Sequence, residues 1–180
     1  GCGNGAITKH IIALLPHLTV TDISSKLSQE TGDKFNLPWR EADACSLPFE
    51  SCSYSTVISS ECIEHTPDPA QALKEMCRIL KPGGTLIVTS PNRLWYPVLL
   101  VAKLLKLRKF QGPEHWLWTT DAARIIRSQG LTIQQITGCH LFPWQIPGAK
   151  AILPWLDRFG PWLYPLYINF CIKASKPGIS

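Results

Sequence analysis

The 180 residues contain no C-x-x-C pair, little charge and no long apolar run. The seven cysteines, at positions 2, 45, 52, 62, 77, 139 and 171, are scattered and odd in number. That pattern argues against a zinc site and against a disulfide framework, and it predicts a reducing, cytoplasmic setting. The longest apolar stretch, Leu94 to Ala102, is nine residues long and holds Pro97, well short of the roughly 20 needed to span a bilayer. Basic residues cluster only at Lys103, Lys106, Arg108 and Lys109, with no aromatics between them, so no nucleic-acid partner is expected. Such a run reads as a solvated helix face or as a contact for an anionic surface. No repeat and no low-complexity segment is present. The chain opens on Gly rather than Met, directly on a motif. This leads us to expect missing upstream residues and leaves a targeting signal unreadable.

What is present is a folded composition, 45% hydrophobic and 17% charged, of a length that fits one domain. Short β-rich runs alternate with helical patterns through the first two thirds, the mark of βαβ units and a parallel sheet. The spacing of Ile7, Ile11, Leu14 and Leu15 predicts a helix over Ala6 to Leu15. Strands are predicted at Thr19 to Ile23, near Arg40 to Asp43, at Tyr54 to Ser60 and at Thr85 to Ser90, with a polar segment after the first. A helix is expected from Asp68, its cap, with Pro69 in the first turn and Gln71 returning a bond to the cap. Lys81-Pro82-Gly83-Gly84 should end it. Leu94 to Lys109 reads as a basic amphipathic helix, and Thr120 to Gln129 as a helix capped by Thr120 and stopped by Gly130. Leu131 to Thr137 and Tyr167 to Ala174 read as the last strands. Between them, Ile152, Leu156, Phe159 and Leu163 fall at helical spacing, which fits a core-facing stripe or a binding surface.

The opening Gly1-Cys2-Gly3-Asn4-Gly5-Ala6 satisfies G-x-G-x-x-G/A. Its glycines permit a tight turn and close approach of a ligand, and the helix start beyond it suits an anion. That anion is either a pyrophosphate or the carboxylate of a methionine moiety; an ordinary strand-to-helix turn also fits. Asp22, 21 residues after Gly1, is placed to accept both hydroxyls of an adenosine ribose. Taken alone these features suit NAD and S-adenosylmethionine equally.

Later motifs separate the two. Glu41-Ala42-Asp43-Ala44-Cys45-Ser46-Leu47-Pro48-Phe49, Tyr54 to His65, and Asp68 through Asn92 resemble, in order, the successive motifs of class I S-adenosylmethionine-dependent methyltransferases. Within that class they are most similar to the ubiquinone/menaquinone-biosynthesis group with Methyltransf_11-type domains. The resemblance covers residues 1–92, about half the chain.

It implies an α/β, Rossmann-like sheet of seven strands whose last strand is antiparallel and inserts between the fifth and sixth. It also implies that the first strand, central in that sheet, is missing from this chain. An open slot would follow, making this piece aggregation-prone and inactive. As one methyltransferase domain, residues 1–92 would form the cofactor-binding half and residues 93–180 the acceptor-covering half with the last two strands. The resemblance implies S-adenosylmethionine contacts at Gly1, Gly3, Gly5, Asp22, Asp43, Ala44 and Ser60. Asp43 would read the adenine amino group.

Glu61, Glu64 and His65 form E-x-x-E-H, a spacing shared with some metal-assisted relatives, and His115 is a further candidate ligand. The alternative role is packing and loop-fixing, and no metal is assigned. His65 and His115 are also the first candidates for a base; His10, His17 and His140 read as surface or structural groups. The aromatic last third, with Trp116, Trp118, Trp144, Trp155 and Trp162, favours a small hydrophobic acceptor, lipid- or quinone-like, with peripheral membrane contact through the basic helix. Two other readings stay open: an NAD-dependent oxidoreductase, and a non-catalytic partner subunit of the same fold.

Overall fold

Tyr54 to Ser60 is rich in β-branched residues and forms strand β3 (Tyr54–Ser60) at the predicted bounds. The computed structural model describes residues 1–15, 17–104, 114–141 and 149–178. Around β3 the chain builds β1 (Val20–Asp22), β2 (Trp39–Glu41), β4 (Leu80–Pro91), β5 (Thr132–Cys139) and β6 (Asn169–Ser175). The helices are α1 (Thr8–Ile11), α2 (Ser25–Phe35), α3 (Pro69–Ile79), α4 (Tyr96–Leu104), α5 (Thr119–Ser128), α6 (Ala149–Leu156) and α7 (Gly160–Leu163).

Two sheets result. β1 and β2 pair in parallel, and a four-stranded sheet runs β3-β4-β6-β5. β3 and β4 are parallel, whereas β6 lies antiparallel between β4 and β5. The expected insertion of the last strand is therefore observed. Among the described residues the strands number six, and none lies between β1 and β3. Instead a cavity of about 390 Å³ reaches from the glycine loop along both strands, lined by Val20 and Thr21 on one side and Thr56 to Ser60 on the other.

The core belongs to the larger sheet. Leu86, Val88, Phe170, Ile172 and Ala174 are fully buried against Leu73, Met76, Ala122 and Ile126 of α3 and α5. Asp68 caps α3, its Oδ1 accepting from the Gln71 backbone N–H at 2.9 Å, with Pro69 in the first turn. The Gln71 side chain does not return to the cap; its Nε2 donates to the Cys45 carbonyl at 3.5 Å.

Several local expectations are corrected. The polar segment after β1 is a helix, α2, capped by Ser24 and ended by Asn36 in the left-handed region. α1 is a single turn, and Ile7 and Leu14 are exposed rather than facing a core. Trp118, not Thr120, holds the N-cap position of α5. The 152–163 stripe is broken by Pro154 within α6 and by Gly160-Pro161 at the start of α7. Ile152 and Leu163 are exposed, and Leu153 takes the buried position. α4 ends at Leu104 as described, so Lys106, Arg108 and Lys109 lie outside the described residues, as does Trp144.

Candidate cofactor site

The glycine loop is pinned to the end of β1 from both directions. The Cys2 N–H donates to the Thr21 carbonyl at 2.8 Å, and Thr31 Oγ1 of α2 donates to the Gly3 carbonyl at 2.8 Å. Asp22, only 8% exposed, receives the Gly3 N–H on Oδ2 at 2.9 Å and the Ser24 N–H on Oδ1 at 3.0 Å. Two backbone donors thus fix the plane of this carboxylate while leaving each oxygen a second lone pair for a ligand.

Two glycines are required by geometry. Gly3 has φ +51°, and a Cβ there would meet nothing within 4 Å, so the backbone faces open space. Gly5 has φ +77°, and a Cβ there would stand 2.6 Å from the Phe35 ring. Its role is to let the loop close on α2. Because α1 is one turn long, the loop's own amides, not a helix dipole, face any anion.

Asp43 closes a tight turn, its Oδ1 accepting from the Cys45 N–H at 2.8 Å. The Leu47-Pro48-Phe49 segment beyond is fastened to α3. Arg78 donates to the carbonyls of Leu47 at 3.0 Å and Phe49 at 2.8 Å, and Glu75 Oε2 accepts from the Leu47 N–H at 2.9 Å. The Arg78 hydrogen bonds hold the Glu75 carboxyl below its usual range. Leu47 and Phe49 line the cavity with Ala44.

At the carboxyl end of β3, Ser60 Oγ lies 3.0 Å from Thr89 Oγ1. Glu61 follows with φ +50°, a backbone state that non-glycine residues hold only under constraint. The constraint is visible: Thr89 Oγ1 donates to its Oε1 at 2.8 Å and Asn169 Nδ2 to its Oε2 at 2.7 Å. Burial pushes the Glu61 carboxyl up. Glu64 is 1% exposed and accepts from Ser90 Oγ at 3.1 Å; burial, then the charge of Glu61, raise it to about 8. A carboxyl in that state is neutral at pH 7 and ties the loop to β4.

His115 sits across this loop, its N–H donating to the Glu64 carbonyl at 2.7 Å and its Nδ1 2.8 Å from the Thr66 carbonyl. Among the described residues no three His, Cys, Asp or Glu side chains group as a metal site. Of the E-x-x-E-H residues, Glu61 and Glu64 are each held by hydrogen bonds to neighbouring strands.

Of the residues picked from sequence, Gly1, Gly3, Ala44 and Ser60 line one cavity. Asp22 and Gly5 support its rim from behind, and Asp43 stands on an exposed turn beside it. Ser59 and Cys62 also line it, and neither was legible beforehand. Ser59 has a buried hydroxyl with no partner among the described residues, a polar atom left for a ligand. Thr89 and Asn169 were missed because they meet Glu61 only when β4 and β6 align. The open glycine turn, the fixed Asp22 and the orphan Ser59 suit an adenosine bearing a charged amino-acid tail.

The chain resembles known methyltransferases. Residues 1–88 match the family described as "Methyltransferase domain". The ubiquinone biosynthesis O-methyltransferase of Xanthomonas euvesicatoria is 27% identical, over 81% of this chain and 66% of that protein. The enzyme of that name from Acinetobacter baumannii is 26% identical, over 99% of this chain and 76% of that protein. The chain thus spans just under two thirds of the Xanthomonas relative. Among solved structures, a methyltransferase bound to the Haloferax volcanii Trm112 methyltransferase activator superposes with a TM-score of 0.73 at 18% identity, covering 98% of this chain and 80% of that one. A Thermotoga maritima S-adenosylmethionine-dependent methyltransferase gives 0.71 at 20% identity, covering 98% and 79%. The first 88 residues match the methyltransferase-domain family, and the chain as a whole has the fold of the S-adenosylmethionine-dependent methyltransferases.

Proposed function

We propose that this protein transfers a methyl group from S-adenosylmethionine to a small hydrophobic acceptor, lipid- or quinone-like. Residues 1–92 hold the cofactor and residues beyond 93 cover the acceptor. The observation that carries the reading is Asp22, held by the Gly3 and Ser24 amides next to a cavity shared by the glycine loop, Ala44 and Ser60.

When bound, S-adenosylmethionine supplies a methyl on a positively charged sulfur, open to in-line attack by a nucleophile. The protein's own work is alignment and exclusion of water. Asp22 accepts the ribose hydroxyls, and Gly1 and Gly3 let the backbone come close to the amino-acid tail. Gly5 keeps α2 in place, Asp43 reads the adenine, and Ala44 with Leu47 and Phe49 packs beneath it. Ser60, aligned through Thr89, faces the cofactor from the β3 side.

The acceptor side is supported by its aromatics. Tyr96 meets Trp116 edge-on at 5.7 Å between centroids, and Arg93 lies over the Trp118 ring at 5.8 Å. Both relatives bear the name ubiquinone biosynthesis O-methyltransferase, which favours a quinone-like phenol. A phenolic acceptor needs little base help. His115 supplies what is needed, because a proton on Nδ1 facing the Thr66 carbonyl leaves Nε2 free to accept one. No described helix is long and apolar enough to cross a membrane; we place the protein in the cytoplasm, against a membrane surface.

Calorimetric titration with S-adenosylhomocysteine tests the reading. The chain should bind it, and Asp22→Asn should weaken binding about 10- to 100-fold, the cost of charge-assisted hydrogen bonds. Binding of NADH in its place would establish the oxidoreductase reading. Binding of neither would leave a non-catalytic subunit.

A further inference from the structure

Helix α4 has a surface that a helix in water does not sustain. Tyr96, Val98, Leu100 and Val101 are all exposed, Val98 at 51% and Val101 at 54%. At 100° per residue these four positions are distributed around the helix rather than along one stripe. A helix apolar all round belongs in a core or in lipid, yet these four α4 side chains are exposed. Its anchorage is at its start. Trp95 Nε1 donates to the Leu166 carbonyl at 3.0 Å, and Asn92 Nδ2 to the Pro165 carbonyl at 2.8 Å.

Those bonds join α4 to a second exposed apolar group. Trp155 is 57% exposed and Trp162 77%, with Phe159 between them, edge-on to Trp155 at 5.3 Å and tilted against Trp162 at 6.3 Å. Leu163 and Leu166 continue the group, both exposed. Indole and phenol rings beside an apolar helix are the composition found at membrane–water boundaries.

Charge decides the occupant. Residues 93–109 carry five basic side chains, Arg93, Lys103, Lys106, Arg108 and Lys109, and no acidic one. An apolar segment followed by a run of cations is attracted to anionic lipid. At nine residues α4 is far too short to span, so it lies in the interface. We propose that α4, together with Trp155 and Trp162, seats this protein on an anionic lipid bilayer. Seated there, the enzyme meets a hydrophobic acceptor where it is dissolved, so this inference extends the acceptor reading above, although its test does not use turnover.

The test is sedimentation of the full chain with vesicles of phosphatidylcholine alone and of phosphatidylcholine mixed with phosphatidylglycerol. Binding should be at least about tenfold stronger to the anionic vesicles and should be reversed by high salt. The pairs Val98→Glu/Val101→Glu and Trp155→Ser/Trp162→Ser should each weaken it about tenfold. Both keep wild-type circular dichroism and S-adenosylhomocysteine binding, since all four side chains are on the surface and away from the cofactor cavity. Equal binding to neutral vesicles overturns the proposal, as does no binding at all. So does a dimer in size-exclusion chromatography that the valine pair dissolves, which would make a second copy the occupant. Loss of S-adenosylhomocysteine binding with vesicle binding intact would instead sink the methyltransferase reading alone.

Discussion

The two sheets differ in what holds them. β3, β4, β6 and β5 share a core in which Leu86, Phe170 and Ile172 are fully buried between α3 and α5. β1 and β2 pair over three residues each, and no described residue before Ala44 joins that core. The small sheet relies on α2, on the glycine loop and on bonds such as Thr31 to Gly3. The strong half is therefore scaffold, while the half that carries the glycine loop is held by polar contacts and backbone geometry. Regions of the second kind open more readily, and ligand sites are drawn from them.

The largest test of that contrast removes a side chain from the strong half. Phe170→Ala should cost about 3–5 kcal/mol in denaturant unfolding, the range for a buried aromatic truncated to alanine. A loss under about 1 kcal/mol would mean the four-stranded sheet is not the scaffold.

Next in size is the weak half. Gly5→Ala places a Cβ against Phe35 at a positive φ, and should cost about 1–3 kcal/mol. Hydrogen exchange should quicken in α2 and β1 while Phe170 and its neighbours keep their protection. A uniform loss across both sheets would break the comparison.

A pH-dependent effect stands at the seam. Glu64 is raised to about 8 in the folded chain from an ordinary value of 4.5, so the folded state binds a proton that the unfolded state has released between those values. Its contribution is present in full below the ordinary value and is lost as pH rises through 8. Glu64→Gln should flatten stability against pH across that window, read as Tm at successive pH values. An unchanged slope would show that Glu64 titrates normally.

Legibility followed the same division. β3 and α3 could be read near their bounds because apolar periodicity and a cap marked them. α2 could not, because Ser25–Phe35 has only Leu27 and Phe35 as apolar residues. Its evidence was confined to its ends, Ser24 accepting from the Leu27 N–H and Asn36 turning left-handed. The glycine loop and Asp22 were legible as one motif, since each is local in sequence, and the structure joins them through the Gly3 N–H. Glu61's strained backbone was not, because its bonds to Thr89 and Asn169 span 28 and 108 positions. α4 is apolar apart from Lys103, and the rest of the basic run read with it, Lys106, Arg108 and Lys109, lies outside the described residues.

The place of β6 has a consequence for synthesis. β6 leaves the ribosome after β5 but must sit between β5 and β4. Until Asn169–Ser175 emerges from the exit tunnel, β4 keeps an edge of unpaired amides and β5 has nothing to pair with in this sheet. The nascent chain therefore carries an adhesive edge throughout the synthesis of the residues between β4 and β6, a window in which a chaperone that shields open strands has most to protect.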